Sequence, residues 1–199
     1  MAKMDEEKIR KMIRRRDLED TLRADCLRTI SERVTRYLEL NFTEIRPNEQ
    51  PFGLISDECI RLYRDGHFFA CIALCQAVAE ALARFLCERS GWNATNDFEK
   101  NTLALRRRKK VTSDCYKYFK EIWKGRNDYH HLNPKVPTER EKLQAIAKIK
   151  MTALHSVESE VFAYELGSDG IKVKYPKYWP EAYAHNGKLF RNVFLRIEV

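Results

Sequence analysis

Glycine and proline are scarce in this sequence, seven and six among 199 residues. That scarcity argues against a low-complexity or disordered chain and leaves helix as the natural conformation, because these two residues are the commonest interruptions of one. Long apolar runs are missing as well. The longest stretch without a charge, Gly66 to Ala79, is too short to span a bilayer. The first residues, Met1 to Glu7, carry charge where a secretory signal would be apolar, so no signal and a cytoplasmic location are expected. Metal chemistry has no visible footing either. The six cysteines, Cys26, Cys59, Cys71, Cys75, Cys87 and Cys115, sit at no metal-ligand spacing, and no paired carboxylates accompany the adjacent His130 and His131. The cysteines are expected as reduced thiols packed like small hydrophobes.

What is present is a chain of 44% hydrophobic and 33% charged residues, which fits an ordinary, mainly helical protein of one folding unit. Its 37 Lys and Arg outnumber 29 Asp and Glu, for a net charge of +8. Such a balance favours polyanionic partners, a nucleic acid or an acidic membrane surface, without choosing between them.

In chain order, Leu27, Ile30, Val34 and Tyr37 recur at helical spacing and predict an amphipathic helix over about residues 5–42, either continuous or broken near Arg16–Asp17. The cations at its start, from Lys8 to Arg16, are offset by Asp5, Glu6 and Glu7 and read as a solvated face. Residues 46–51 hold two prolines and read as a loop. Ser56 or Asp57 is then expected to cap a short helix reaching about Arg64. From His67 to Glu88 the chain is apolar on every side, as in a helix central to a bundle or partly in a dimer seam. Its polar exceptions Gln76, Glu80 and Arg84 fall in one row. They form either an exposed strip with a Glu80–Arg84 pair or, through Glu80, a support for the site proposed below.

Residues 92–101 read as a linker, followed by the unbroken basic run Arg106, Arg107, Arg108, Lys109 and Lys110, placed to steer a polyanion. Thr112 or Ser113 should cap a helix with Cys115, Phe119 and Ile122 on its buried stripe. After a proline-containing loop, Thr138 to Glu141 form a capping box for a long helix ending at Gly167. His155 within it is expected to be structural or superficial. Ile171 to Tyr175 alternates, and Asn186–Gly187 precedes a β-prone run from Leu189 to Val199, so a small antiparallel ribbon is expected at the C-terminus. His185 in that region has no visible partner for chemistry.

Between the aromatic run Tyr116 to Trp123 and the helix breaker Asn133–Pro134 lies Arg126-Asn127-Asp128-Tyr129-His130-His131. Arginine offers a permanently charged planar donor fork for phosphate oxygens, and histidine both takes and gives a proton near neutrality. On an ideal helix His130 shares the face of Arg126, whereas His131 points away.

Arg126 and His131, with Asn127 directly after the arginine, resemble the R-x-x-x-x-H motif of the HEPN ribonucleases. The likeness covers about residues 50–166. It implies a mainly α fold: an up-and-down bundle of four or five helices, here with a small C-terminal antiparallel β ribbon outside it. The organisation expected is an N-terminal helix over 1–45, a HEPN-like bundle over 50–166 and a ribbon extension over 168–199. The resemblance also implies a homodimer with two motifs in one cleft. Active members of the family are metal-independent endoribonucleases of toxin–antitoxin, abortive-infection and CRISPR-linked defence, so RNA and a regulatory antitoxin are the implied partners, with no cofactor. Carried onto this chain, Arg126 would hold the scissile phosphate, His131 would be the general acid or base, and Asn127 would position the site, with Glu80 and His130 in support. A self-modifying branch has a tyrosine two residues after the histidine; here that position is Asn133. The alternative is a catalytically silent HEPN module that dimerises and docks a partner protein.

Overall fold

The computed structural model describes residues 6–40, 44–47, 51–167, 170–179 and 193–196. By its contacts the chain divides into two compact units, Met1–Glu39 and Leu40–Val199. The first holds one helix, α1 (Glu6–Glu39), which passes through Arg16–Asp17 without a break. With neither glycine nor proline inside it, nothing in the backbone forces one. Pairs such as Glu7–Lys11 at 2.9 Å and Arg15–Glu19 at 3.0 Å lie one turn apart on its surface, each contributing about 0.2–0.5 kcal/mol. The cations from Lys8 to Arg16 are exposed, as a solvated face requires, and so are Leu27, Ile30, Val34 and Tyr37.

The second unit is a helical bundle around α3 (Phe68–Arg89), against which α2 (Pro51–Asp65), α4 (Phe98–Arg107), α5 (Ser113–Trp123), α6 (Arg126–His130) and α7 (Arg140–Val161) all pack. The residues that make α3 apolar on every side, among them Ile72, Val78, Leu82, Phe85 and Leu86, are buried in this core. By length and composition α3 could cross a membrane, contrary to the expectation from its short uncharged run; 56% of its most apolar window is buried inside the protein. Five of the six cysteines are buried and none is in a disulfide; Cys26 is exposed on α1. Cys71 Sγ donates to the carbonyl of Cys59 at 3.3 Å, and burial raises the pKa of Cys59 and Cys115, so these thiols pack as neutral groups.

Helix ends account for most differences from the sequence reading. α2 starts at Pro51, a residue suited to a first helical turn, while Ser56 and Asp57, expected as its cap, are buried inside it. Helix α4 begins at Phe98, inside the linker expected over 92–101, because Asp97 caps it by accepting from the Lys100 N–H at 3.0 Å. The cap of α5 is Thr112, as expected, and Cys115, Phe119 and Ile122 are its buried stripe. The expected Thr138–Glu141 capping box does not form: Glu139 is the N-cap of α7 and makes no side-chain cap bond. α7 stops at Val161, short of Gly167, because the chain turns into strand.

An antiparallel ribbon is present near the C-terminus, β2 (Tyr164–Gly167) paired with β3 (Gly170–Val173). The later β-prone run contributes β4 (Val193–Arg196), which pairs not with β3 but with β1 (Glu44–Pro47), whose last two residues open the expected loop over 46–51. His185 and Asn186–Gly187 lie outside the described residues.

Several helices close in the same way. In α2 the His67 N–H reaches back to the Leu62 carbonyl at 2.8 Å, with Gly66 at φ +84° between them. A Cβ at Gly66 would meet the tip of Arg140, whose Nη1 donates to the Gly66 carbonyl; that side chain could shift, so it is the φ that favours glycine there. The same closure ends α4 with Lys109 in the left-handed position, φ +53°, a conformation costing about 1 kcal/mol for a residue with a Cβ.

Candidate functional site

The helix expected to deliver Arg126 ends three residues earlier, at Trp123. Its last carbonyls are not left to water. Lys150, on α7 and only 3% exposed, points its ammonium at the carbonyls of Glu121 (3.2 Å), Ile122 (2.7 Å) and Lys124 (2.8 Å). Gln76, on α3 and fully buried, donates its Nε2 to Ile122 (3.1 Å) and Lys124 (3.4 Å). Positive charge and donors at a helix C-terminus complement its dipole. Burial pulls the Lys150 pKa down to about 8, although the Glu121 carboxylate opposes the fall. Gln76 is therefore no part of an exposed strip. Together these two side chains fix where α5 stops.

Gly125, at φ +71°, then turns the chain into α6. This short helix is held by Tyr129, buried at 7% exposure with its ring 5.8 Å from Phe69 of α3. The rest of the motif is thereby turned outward: Arg126 is half-buried, and Asn127, His130 and His131 are exposed. His131 is the C-cap, its N–H donating to the Asn127 carbonyl at 3.1 Å. The Asn133 N–H closes back on Asp128 at 2.9 Å, and Leu132 occupies the left-handed position at φ +50°, where glycine is usual. An exposed leucine thus holds a strained backbone directly beside His131.

His130 and Arg126 sense each other. Loss of water on one side and then the Arg126 charge lower the His130 pKa, with Glu80 acting in the opposite sense and His131 adding slightly to the fall. His130 is consequently held neutral at pH 7, with a ring nitrogen able to accept a proton. Glu80 is near enough to be felt at His130, but its carboxylate binds Arg84; among the described residues no hydrogen bond joins it to Arg126. Arg126 lies over the Trp123 ring at 5.4 Å, and its Nη1 donates weakly to Asn127 Oδ1 at 3.4 Å. Its buried Nε has no hydrogen-bond partner among the described residues.

Arg126 and Asn127 line an open cleft of about 840 Å³ between α4 and α5, whose other walls include Tyr116, Trp123, Lys117 and Lys120. Neither His130 nor His131 lines it. None of the basic run lines the cleft; Arg106, in the last turn of α4, places its guanidinium 5.0 Å from the Tyr116 ring, while Arg107 to Lys110 are exposed. Arg108 rests over Trp92 at 4.3 Å. His155 is half-buried within α7, away from the motif in sequence and in element. Among the described residues no three His, Cys, Asp or Glu side chains converge as a metal site requires.

Neither Lys150 nor a buried role for Gln76 was legible beforehand. Lys150 follows Ile149 in a helix of mixed charge, and only tertiary packing distinguishes it from solvated lysines. Gln76, embedded in an apolar segment, gave the better signal, since a polar residue among apolar neighbours must find a partner. Compared with protein-family models, curated proteins and solved structures, the chain matches none.

Proposed function

We propose that this protein is a metal-independent endoribonuclease of the HEPN type, acting as a homodimer in the cytoplasm as a toxin or defence effector. The observation that carries the reading is the gathering of the motif on one short helix: Asn127, His130 and the C-cap His131 are exposed, and the half-buried Arg126 lines the cleft. In the reaction the RNA 2′-oxygen attacks its adjacent phosphorus. An O2′–P bond forms and the P–O5′ bond breaks. A base takes the 2′-hydroxyl proton, an acid gives one to the departing 5′-oxygen, and Arg126 offsets charge on the phosphate. His131 is assigned to proton transfer, and Asn127 positions the arginine. Two copies would supply both an acid and a base. Leu132, apolar, 73% exposed and strained beside His131, is a surface that a second copy could cover. The basic run Arg106 to Lys110 would draw the RNA in.

The test uses one preparation of the full chain. Light scattering at micromolar concentration should give twice the chain mass, and RNA cleavage in excess EDTA should leave 2′,3′-cyclic phosphate and 5′-hydroxyl ends. A monomer with or without RNA removes the composite site. Products with 3′-hydroxyl and 5′-phosphate ends, or activity lost on chelation, remove the mechanism.

A second reading, a silent module that docks a partner such as an antitoxin, has one observation in its favour: the cleft at Arg126 excludes both histidines, so it suits binding without proton transfer. RNA bound but never cut would favour it.

A further inference from the structure

The cleft beside Arg126 has features that phosphate chemistry alone does not require. Three aromatic rings, Phe98, Tyr116 and Trp123, stand in its lining. Trp123 is stacked on Phe98, ring centroids 4.0 Å apart and planes 17° from parallel, which fixes the indole from behind. Tyr116 stands two turns earlier on the same helix, half-buried, with Arg106 and Lys120 over its ring at 5.0 and 6.0 Å. Lys117, Lys120 and Lys124 stand along α5 and its end, and all three are exposed. Cations alternating with ring faces along one groove are the arrangement that binds a single strand, the cations following the phosphates and the rings taking unpaired bases. A base pair buries its faces in its neighbours and could not reach these rings without unstacking.

We propose that this cleft is a base-stacking subsite that accepts an unpaired nucleotide next to the phosphate held by Arg126, so that the substrate is single-stranded RNA. The inference rests on the ribonuclease reading for the phosphate but on the cleft itself for the base. Tyr116 is the principal stacking face, because Trp123 carries a stacked ring, Phe98, as well as Arg126, whereas the groups over Tyr116 are the ends of two long exposed cations, Arg106 and Lys120, which can move aside to flank a base. Lys117 and Lys120 neutralise the phosphate on the side away from Arg126. Glu99, Glu121 and Asp128 in the same lining keep the groove from being uniformly basic, which disfavours simple polyanion capture.

The test separates binding from cleavage by using a short 2′-O-methyl RNA oligonucleotide, which lacks the attacking hydroxyl, as a single strand and as a duplex of the same sequence. Binding is followed at near-physiological salt by fluorescence anisotropy. Tyr116→Leu should weaken the single strand roughly 5- to 100-fold, the range expected for one lost stacked base, with the duplex nearly unaffected. Tyr116→Phe should restore single-strand binding, since it keeps the ring. If Tyr116→Leu disturbs the fold by circular dichroism, Lys117→Gln with Lys120→Gln serves instead and should weaken the single strand and lessen its salt dependence. Equal affinity of wild type and Tyr116→Leu for the single strand overturns the proposal. So does a duplex bound as tightly as the single strand, or displacement of the oligonucleotide by poly-glutamate at matched charge. Tight, Tyr116-dependent binding of the single strand without cleavage of ordinary RNA would sink the ribonuclease reading and leave the subsite standing.

Discussion

Replacing His131 by Ala is expected to slow RNA cleavage by about 10²- to 10⁴-fold, the usual contribution of a positioned general acid or base, while oligonucleotide affinity stays close to wild type. Arg126→Ala should lose both rate and affinity, and Arg126→Lys should recover only part, since a point charge cannot reproduce the planar fork. Single-turnover cleavage and anisotropy on the same variants read the two effects apart. The decisive comparison is His130→Ala. The structure puts His130 where partial desolvation and then the Arg126 charge lower its pKa. A base with a lowered pKa remains competent further into acid, so if His130 were the proton acceptor the rate would hold to pH values below the ordinary histidine range near 6.5 and His130→Ala would be the larger loss. The assignment to His131 survives only if His131→Ala costs more than His130→Ala. Full activity in both single variants places the chemistry elsewhere.

Much of the bundle was legible because its signals are local. The apolar girdle of α3 and the Thr112 cap with its Cys115, Phe119, Ile122 stripe were read correctly. Failures cluster where one local rule competes with another. Asp97-Phe98-Glu99-Lys100 carries a cap and an acidic first turn, yet the surrounding Trp92 to Asn96 drew the whole stretch into a linker. Pro51 fits the end of a loop by composition, and a proline opens a helix equally well. The Thr138–Glu141 capping box matched in pattern and failed in structure, because Glu139 pairs with Lys142 at 2.7 Å and the helix starts one residue on. The pairing of β1 with β4 joins segments nearly the whole bundle apart, and no periodicity encodes which strand a short β-prone run will choose.

The candidate site shows the same division. Its residue types and their order are in the sequence, but the break between α5 and α6 is not announced by Lys124–Gly125 alone. A continuous helix through Gly125 would have kept the geometry of a single face. The left-handed glycine instead re-aims the motif, and Tyr129 becomes its anchor against Phe69. What makes the break stable lies on two other helices, in Gln76 and Lys150. Arg126 is therefore positioned by contacts formed only once α3, α5 and α7 have packed.

That dependence gives Lys150 the largest expected effect on stability. Lys150→Ala removes a charged donor from three carbonyls, two of which keep Gln76, and leaves a void in the bundle. A loss of about 2–4 kcal/mol is expected from urea denaturation. Lys150→Met keeps the volume and removes only charge and donors, so it isolates the ammonium. The sign of the pH dependence follows from linkage. In the folded protein the Lys150 pKa falls to about 8, below the value near 10.5 in the unfolded chain. Between the two, the unfolded chain binds the extra proton, so stability rises with pH. The cost of burying the charge is present in full below pH 8 and relieved as pH climbs towards 10.5. Wild type should therefore gain on Lys150→Met across that window, by on the order of 1–3 kcal/mol, while titrations common to both proteins cancel in the difference. A gap that stays flat from pH 7 to 10 would mean that burial costs the ammonium nothing net, either because it is hydrated or because its three carbonyl bonds offset the desolvation in full. The cleavage rate separates the two: a hydrated ammonium leaves Lys150→Met at the wild-type rate, whereas an anchor that sets Gly125 and Arg126 predicts a loss in rate with single-strand binding at Tyr116 retained.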